Sequence, residues 1–173
     1  MPPNIALFGF MGVGKTVVGK LLAEKTGFTY IDVDEEIENR KGKTISLIFT
    51  EEGETSFRAI EKQVTRDIAS NRGQIIACGG GTVLKPENRD SLRTSSSMVL
   101  LTADPQVILQ RVEAEGETRP LLMVDDKINK IRSLLADRNP KYVEAADLIV
   151  DTSDLTPDEV VEEILKNLEW DLI

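Results

Sequence analysis

The sequence predicts an α/β fold, a mostly parallel sheet with helices on both faces, and three observations predict it. Five short runs, "NIALFGF", "FTYIDVD", "QIIACGG", "SMVLLTA" and "DLIVDT", have the length and the branched or aromatic content of strands and are bounded by glycine or polar residues. The segments between them repeat apolar residues three and four positions apart, the spacing of helices with one buried face. The first strand runs through a glycine-rich turn, "GFMGVGKT", straight into such a segment. Strands that alternate with helices are joined by crossovers, and crossovers leave neighbouring strands parallel.

In chain order, the helical segments are "KTVVGKLLAEKTG", the long "TISLIFTEEGETSFRAIEKQVTRDIASN", "PENRDSLRT", "DPQVILQRV", "KINKIRSLLADR" and "TPDEVVEEILKNL". One stretch fits no element. "EAEGETRPLLMVDD", Glu113 to Asp126, is polar at first and broken by Gly116 and Pro120, and it reads as a long loop with residues 113–125 as a lid. There is no internal repeat, and 173 residues suit a single domain spanning residues 1–173. In sheets of this kind ligands bind beyond the carboxyl ends of the strands, so the residues just after each strand carry the functional reading.

Composition bounds the chemistry. The chain has no histidine, so acid–base work falls to carboxylates, Lys, Arg, hydroxyls and backbone amides. Its one cysteine, Cys78, cannot close an internal disulfide and is too little for a zinc site, which fits a reducing cytosol. No signal-peptide layout and no membrane-length apolar run is present, and the expected location is cytoplasmic. The net charge of −9 is concentrated at the end: from Asp147 onward there are nine acidic residues against Lys166 alone. The remaining body is nearly neutral, and without a basic stripe nucleic-acid binding is not expected. A monomer is the default expectation, since no surplus apolar stripe stands out.

"GFMGVGKT" fits G-x-x-x-x-G-K-[ST] with the strand before it and the helix after it that the motif's mechanism requires. Gly9, Gly12 and Gly14 let backbone N–H groups turn inward around phosphates, with the helix N-terminus adding its positive end. Lys15 reaches the β- and γ-phosphates, and the Thr16 hydroxyl suits Mg²⁺. The loop therefore reads as a nucleoside-triphosphate site. The N-K-x-D and D-x-x-G patterns of a GTPase switch are missing.

Asp32 and Asp34 end the second strand, where alternation puts both side chains on one face. Beside phosphates and a metal, one carboxylate can hold the metal's waters while the other accepts a proton from an attacking hydroxyl. Alternatively Asp34 N-caps the helix that follows. Arg58 and Glu61 stand three apart on a helix, which also suits an ordinary surface ion pair. Arg138 precedes Pro140, at an expected helix end. Two arginines that converge make a clamp for a carboxylate, but spacing alone does not say that they converge. Gly79, Gly80 and Gly81 follow the third strand, where missing side chains let a ligand approach the backbone. Arg119, on the lid, could swing onto a transferring phosphoryl group.

Together these motifs, "GFMGVGKT", "DVD", "FRAIE", "GGG", "RPLL", "RNPKY" and "DTSDLTPDEV", resemble the shikimate kinase family over nearly the whole chain, from Ile5 to Leu168. The resemblance implies a three-layer αβα P-loop fold with five parallel strands in the order 2-3-1-4-5 and a lid loop. It implies transfer of the γ-phosphoryl group of ATP to shikimate with Mg²⁺, the metal held by Thr16 directly and by Asp32 through water. The implied ATP-binding set is Gly12, Val13, Gly14, Lys15, Thr16, Val17, Arg111 and Arg119, with Arg111 and residues 152–157 flanking the adenine. Asp34 would orient or deprotonate the attacking hydroxyl, making Lys15, Asp34 and Arg119 the catalytic set. Arg58 and Arg138 would grip the carboxylate, Glu61 would brace Arg58, and Gly80 and Gly81 would touch a hydroxyl. One departure is "SDL", which lacks the arginine that some relatives place near the adenine. The alternatives are a gluconate-type sugar-acid kinase, an adenylate-type kinase and a non-catalytic nucleotide-binding module.

Overall fold

The computed structural model describes residues 4–116 and 120–169. Its five strands are β1 (Asn4–Phe8), β2 (Thr29–Asp32), β3 (Gln74–Ala77), β4 (Ser96–Thr102) and β5 (Leu148–Asp151). They form one sheet in the order β2-β3-β1-β4-β5, and every neighbouring pair is parallel. This is the order that the resemblance implies. Ile5 pairs with Ile75 on one side and Ser97 on the other, and Ile31 pairs with Ile76, so every strand ends on the same side of the sheet. β1 and β3 are buried along their whole length, which is why they read as continuous apolar runs with no alternation.

The helices are α1 (Lys15–Thr26), α2 (Val33–Lys41), α3 (Ile45–Ala69), α4 (Pro86–Arg93), α5 (Pro105–Glu115), α6 (Lys127–Ala145) and α7 (Pro157–Asn167). They cover both faces of the sheet, with α1 packed on α7, α2 on α3, α3 on α4 and α5 on α6. α7 opens with a reciprocal capping box between Thr156 and Glu159, and α6 opens on the Asp126 carboxylate, which accepts from the Asn129 N–H. No described helix is long and apolar enough to cross a membrane.

Three expectations about element boundaries are corrected. The segment that reads as one long helix bends at Gly53 (φ 82°, ψ 170°), which divides α3 into two helical halves. α6 does not end near Pro140 but runs five residues beyond it to Ala145. A proline inside a helix costs about 3 kcal/mol, and the burial of Tyr142 and Ala145 on the far side offsets it. The expected loop begins later than residue 113, because Glu113 to Glu115 complete α5 and Gly116, at φ 65°, ends it in a left-handed turn. A short 3-10 turn at Pro120–Leu122 precedes α6.

Candidate active site

The β1–α1 loop encloses the N-terminus of α1. A β-carbon on Gly9 would fall inside the Leu101 carbonyl oxygen, so only glycine lets the loop pass this close to β4. The Lys15 ammonium donates to the carbonyls of Gly9 at 2.9 Å and Phe10 at 2.8 Å, which centres the charge over the loop. From behind, the loop is tied down by Thr152. Its Oγ1 shares its proton between Val13 O at 2.9 Å and Thr102 O at 3.0 Å, and accepts from Arg111 Nη1 at 2.9 Å. Arg111 Nη1 also donates to Gly12 O at 3.2 Å, and Nη2 donates to Thr152 O at 2.7 Å. Arg111 is thereby fixed beside the loop.

At the second strand the reading by alternation is corrected. β2 stops at Asp32 and helix α2 begins at the next residue, so Asp32 is the N-cap and Asp34 sits in the first turn. The Asp32 Oδ1 accepts from the N–H groups of Asp34 at 2.9 Å and Glu35 at 3.1 Å, which fixes the Asp32 carboxylate against the backbone of the first turn. Burial pushes the Asp34 carboxyl up to about 6, reinforced by the charges of Asp32 and Glu61 and opposed by that of Lys15. A carboxylate held near 6 is mostly ionised at neutral pH yet basic enough to accept a proton.

The glycine triplet brings the remaining charged groups together. Each glycine leaves the space that one of them fills. A β-carbon on Gly79 would meet Asp34 Oδ1 at 2.8 Å, one on Gly80 would meet Arg138 Nη1 at 3.2 Å, and one on Gly81 would meet Arg58 Nη1 and Nη2 at 3.0 Å. None of the three has a positive φ, so glycine is required here for space and not for backbone freedom. Arg58 and Arg138 thus converge, which their spacing could not establish. Glu61 is no surface partner of Arg58: it is 1 % exposed and accepts from Arg58 Nη1 at 2.8 Å.

Several supporting residues have no role assigned to them by the sequence. Tyr142 donates its hydroxyl to Gly80 O at 2.5 Å, which fixes the middle of the triplet. Phe10 lies 5.6 Å below the Arg138 guanidinium and Phe57 5.1 Å from that of Arg58, each an attractive face for a cation. The aromatic neighbours in "GFMG" and "SFR" were the visible signal. Cys78 is buried at the base of the triplet, and burial pushes its thiol far up.

These groups line one pocket of about 390 Å³, which holds Lys15, Thr16, Val17, Asp32, Asp34, Arg58, Glu61, Arg138 and the triplet. Val13 lies outside it, in a cleft of about 450 Å³ behind the loop and beneath α6. That larger cleft contains neither Lys15 nor Asp34, so size does not mark the reactive site. Arg119 lies outside the described residues.

The pocket also fits a small hard cation. Thr16 and Asp32 both line it, and the Tyr30 hydroxyl donates to Asp32 Oδ2 at 3.5 Å. Two oxygen donors and room for phosphates suit Mg²⁺, which keeps several waters and seldom takes an all-protein cage.

Comparison with known proteins accords with this geometry. Residues 11–169 match the model of the shikimate kinase family. The chain belongs to that family. A shikimate kinase from Thermodesulfovibrio yellowstonii is 46% identical over 166 residues, 96% of this chain and 95% of that protein. A solved shikimate kinase from Acinetobacter baumannii, in complex with shikimate, is 37% identical with a TM-score of 0.89, covering 98% of this chain and 94% of that one. A gluconokinase from Sinorhizobium meliloti, at 21% identity and a TM-score of 0.57 over 97% of this chain and 92% of its own, shares the fold alone. As a member of the shikimate kinase family the chain is a phosphotransferase acting on an alcohol group.

Proposed function

We propose that the chain transfers the γ-phosphoryl group of ATP to the 3-hydroxyl of shikimate, giving shikimate 3-phosphate and ADP, a step toward chorismate and the aromatic amino acids. The observation that carries this reading is the convergence of Asp34, Arg138 and Arg58 on Gly79, Gly80 and Gly81, in the pocket that Lys15 also lines. One wall offers positive charge to phosphates. The other offers two guanidinium groups and a carboxylate to a small polyhydroxylated acid.

The loop amides and Lys15 hold the β- and γ-phosphates, while Arg111 and residues 152–157 flank the base. Arg58 and Arg138 bind the acid's carboxylate through charge-assisted hydrogen bonds, about twice as strong as neutral ones. That grip sets the ring so that Asp34 receives the proton of the attacking hydroxyl at its carboxylate. Thr16 and, through water, Asp32 would hold Mg²⁺, which when bound neutralises charge on the phosphates. Arg119 adds a further positive charge for the group in transfer. Phosphoryl transfer leaves a protein little covalent work, so in-line positioning and charge neutralisation supply most of the acceleration.

The test is ADP release from Mg·ATP by the purified protein, with shikimate and gluconate offered separately. Turnover with shikimate alone supports the reading. Turnover with gluconate alone replaces the acceptor, and silence with both leaves a nucleotide-binding module.

A further inference from the structure

The buried Glu61 carboxylate takes hydrogen bonds from three different elements. Oε1 accepts from Arg58 Nη1 at 2.8 Å and from Asn88 Nδ2, on α4, at 3.2 Å, and Oε2 accepts from Thr82 Oγ1 at 3.1 Å in the turn after the glycine triplet. Asn88 Nδ2 donates as well to the Thr82 carbonyl at 3.1 Å, so the amide binds its two partners through one nitrogen. Asn88 is 2 % exposed and Thr82 is fully buried. Neither lines the pocket.

A carboxylate held only by Arg58 could rotate about its own axis and carry the guanidinium with it. With both oxygens anchored from α4 and from the turn, the Nη1 of Arg58 has one place to go, and both its terminal nitrogens stand 3.0 Å from the site of the missing Gly81 side chain. We propose that Asn88 and Thr82 are positioning residues for substrate recognition: they lock the Glu61 carboxylate, and through it aim Arg58 at the carboxylate of the acceptor acid. This rests on the reading of Arg58 as a carboxylate-binding residue. It adds two residues, one of them on a helix that contributes nothing to the pocket wall, to the set that decides which acid is accepted. Networks of this kind act as a unit in a low-dielectric setting, so their effect is separable only by combining substitutions.

Thr82→Val removes one hydroxyl at nearly constant shape, and Asn88→Leu removes the amide. Each is expected to raise both the Kd and the KM for shikimate about tenfold, the size of one lost hydrogen bond to a charged group, while the KM for ATP stays within about twofold. Thr82→Ser is expected to restore the wild-type value. In an Arg58→Ala background the same substitutions are expected to change shikimate kcat/KM less than about twofold, because the residue through which they act is gone. Equal losses with and without Arg58, or equal rises in both KM values, would overturn the inference and leave the two residues as supports of the fold. Should Asn88→Leu not fold, Thr82→Val and its Ser rescue carry the test alone. If the wild-type chain does not bind shikimate, the proposed function fails and this inference with it. If the wild type binds and turns over shikimate and the variants match it, the inference alone fails.

Discussion

The Asp34 carboxylate occupies the space left by the missing side chain of Gly79: a β-carbon there would stand 2.8 Å from Oδ1 and 2.9 Å from Oδ2. Gly79→Ala therefore displaces the proposed base without straining the backbone. Misplacement by about 1 Å can cost about 100-fold in rate. The expected outcome is a kcat lower by about that factor, with a native circular dichroism spectrum and an unchanged KM for ATP. Gly81→Ala is milder, since it meets the far end of the Arg58 side chain, and it should raise the KM for shikimate with kcat largely kept.

The raised Asp34 pKa makes a signed prediction about pH. The folded protein favours the protonated carboxyl, so Asp34's contribution to stability is fully present below about pH 4 and is lost as pH rises through about 6. At pH 7 Asp34→Asn should then be more stable than the wild type, by about 3 kcal/mol. The gap should close by pH 4, as urea unfolding at the two pH values would show. Activity runs the other way: kcat/KM should fall about tenfold per pH unit below about pH 6, and Asp34→Asn should be nearly inactive at every pH.

Arg58→Ala removes one arm of the proposed acid clamp. We expect the KM for shikimate to rise at least about tenfold while the KM for ATP barely changes. Shikimate methyl ester, which lacks the charge, should bind the variant and the wild type alike. Calorimetric titration of both ligands against both proteins checks this, and a normal shikimate affinity in the variant would end the clamp model.

Lys15→Ala is expected to abolish transfer while leaving shikimate binding measurable. It also removes a positive charge that lowers the Asp34 pKa, so the carboxyl of the variant should titrate higher than in the wild type. Carbon-13 NMR of labelled aspartate in the two proteins would read that shift directly.

Much of this was legible in the sequence because the signals were local. A strand's apolar run and the glycine-rich loop with its lysine each lie within a dozen residues, the alternation of short strands with helices repeats along the chain, and the sheet agrees with them. Element ends were harder. Nothing in "RNPKY" announces that Tyr142 has a buried seat under Gly80, and it is that anchor which carries α6 past Pro140. "DVD" looked like strand alternation, whereas the backbone turns helical between the two carboxylates and hands the capping role to Asp32. The convergence of Arg58 and Arg138 was out of reach for a different reason. It depends on two helices far apart in sequence meeting over three glycines, and no spacing encodes a vacancy. Thr82 and Asn88 stayed invisible because a buried donor to a carboxylate looks like any other polar residue in a turn or helix.

Cys78 carries a pharmacological consequence. The thiol lines the pocket that holds Lys15, Asp34 and Arg58, so an inhibitor that fills the pocket is brought toward the only cysteine in the chain. That sulfur is a poor target for an electrophile. It is buried and held protonated, whereas the thiolate is the reactive form. Acrylamide or chloroacetamide warheads built onto a shikimate scaffold would bind here as ordinary reversible ligands, and their potency should not grow with incubation time.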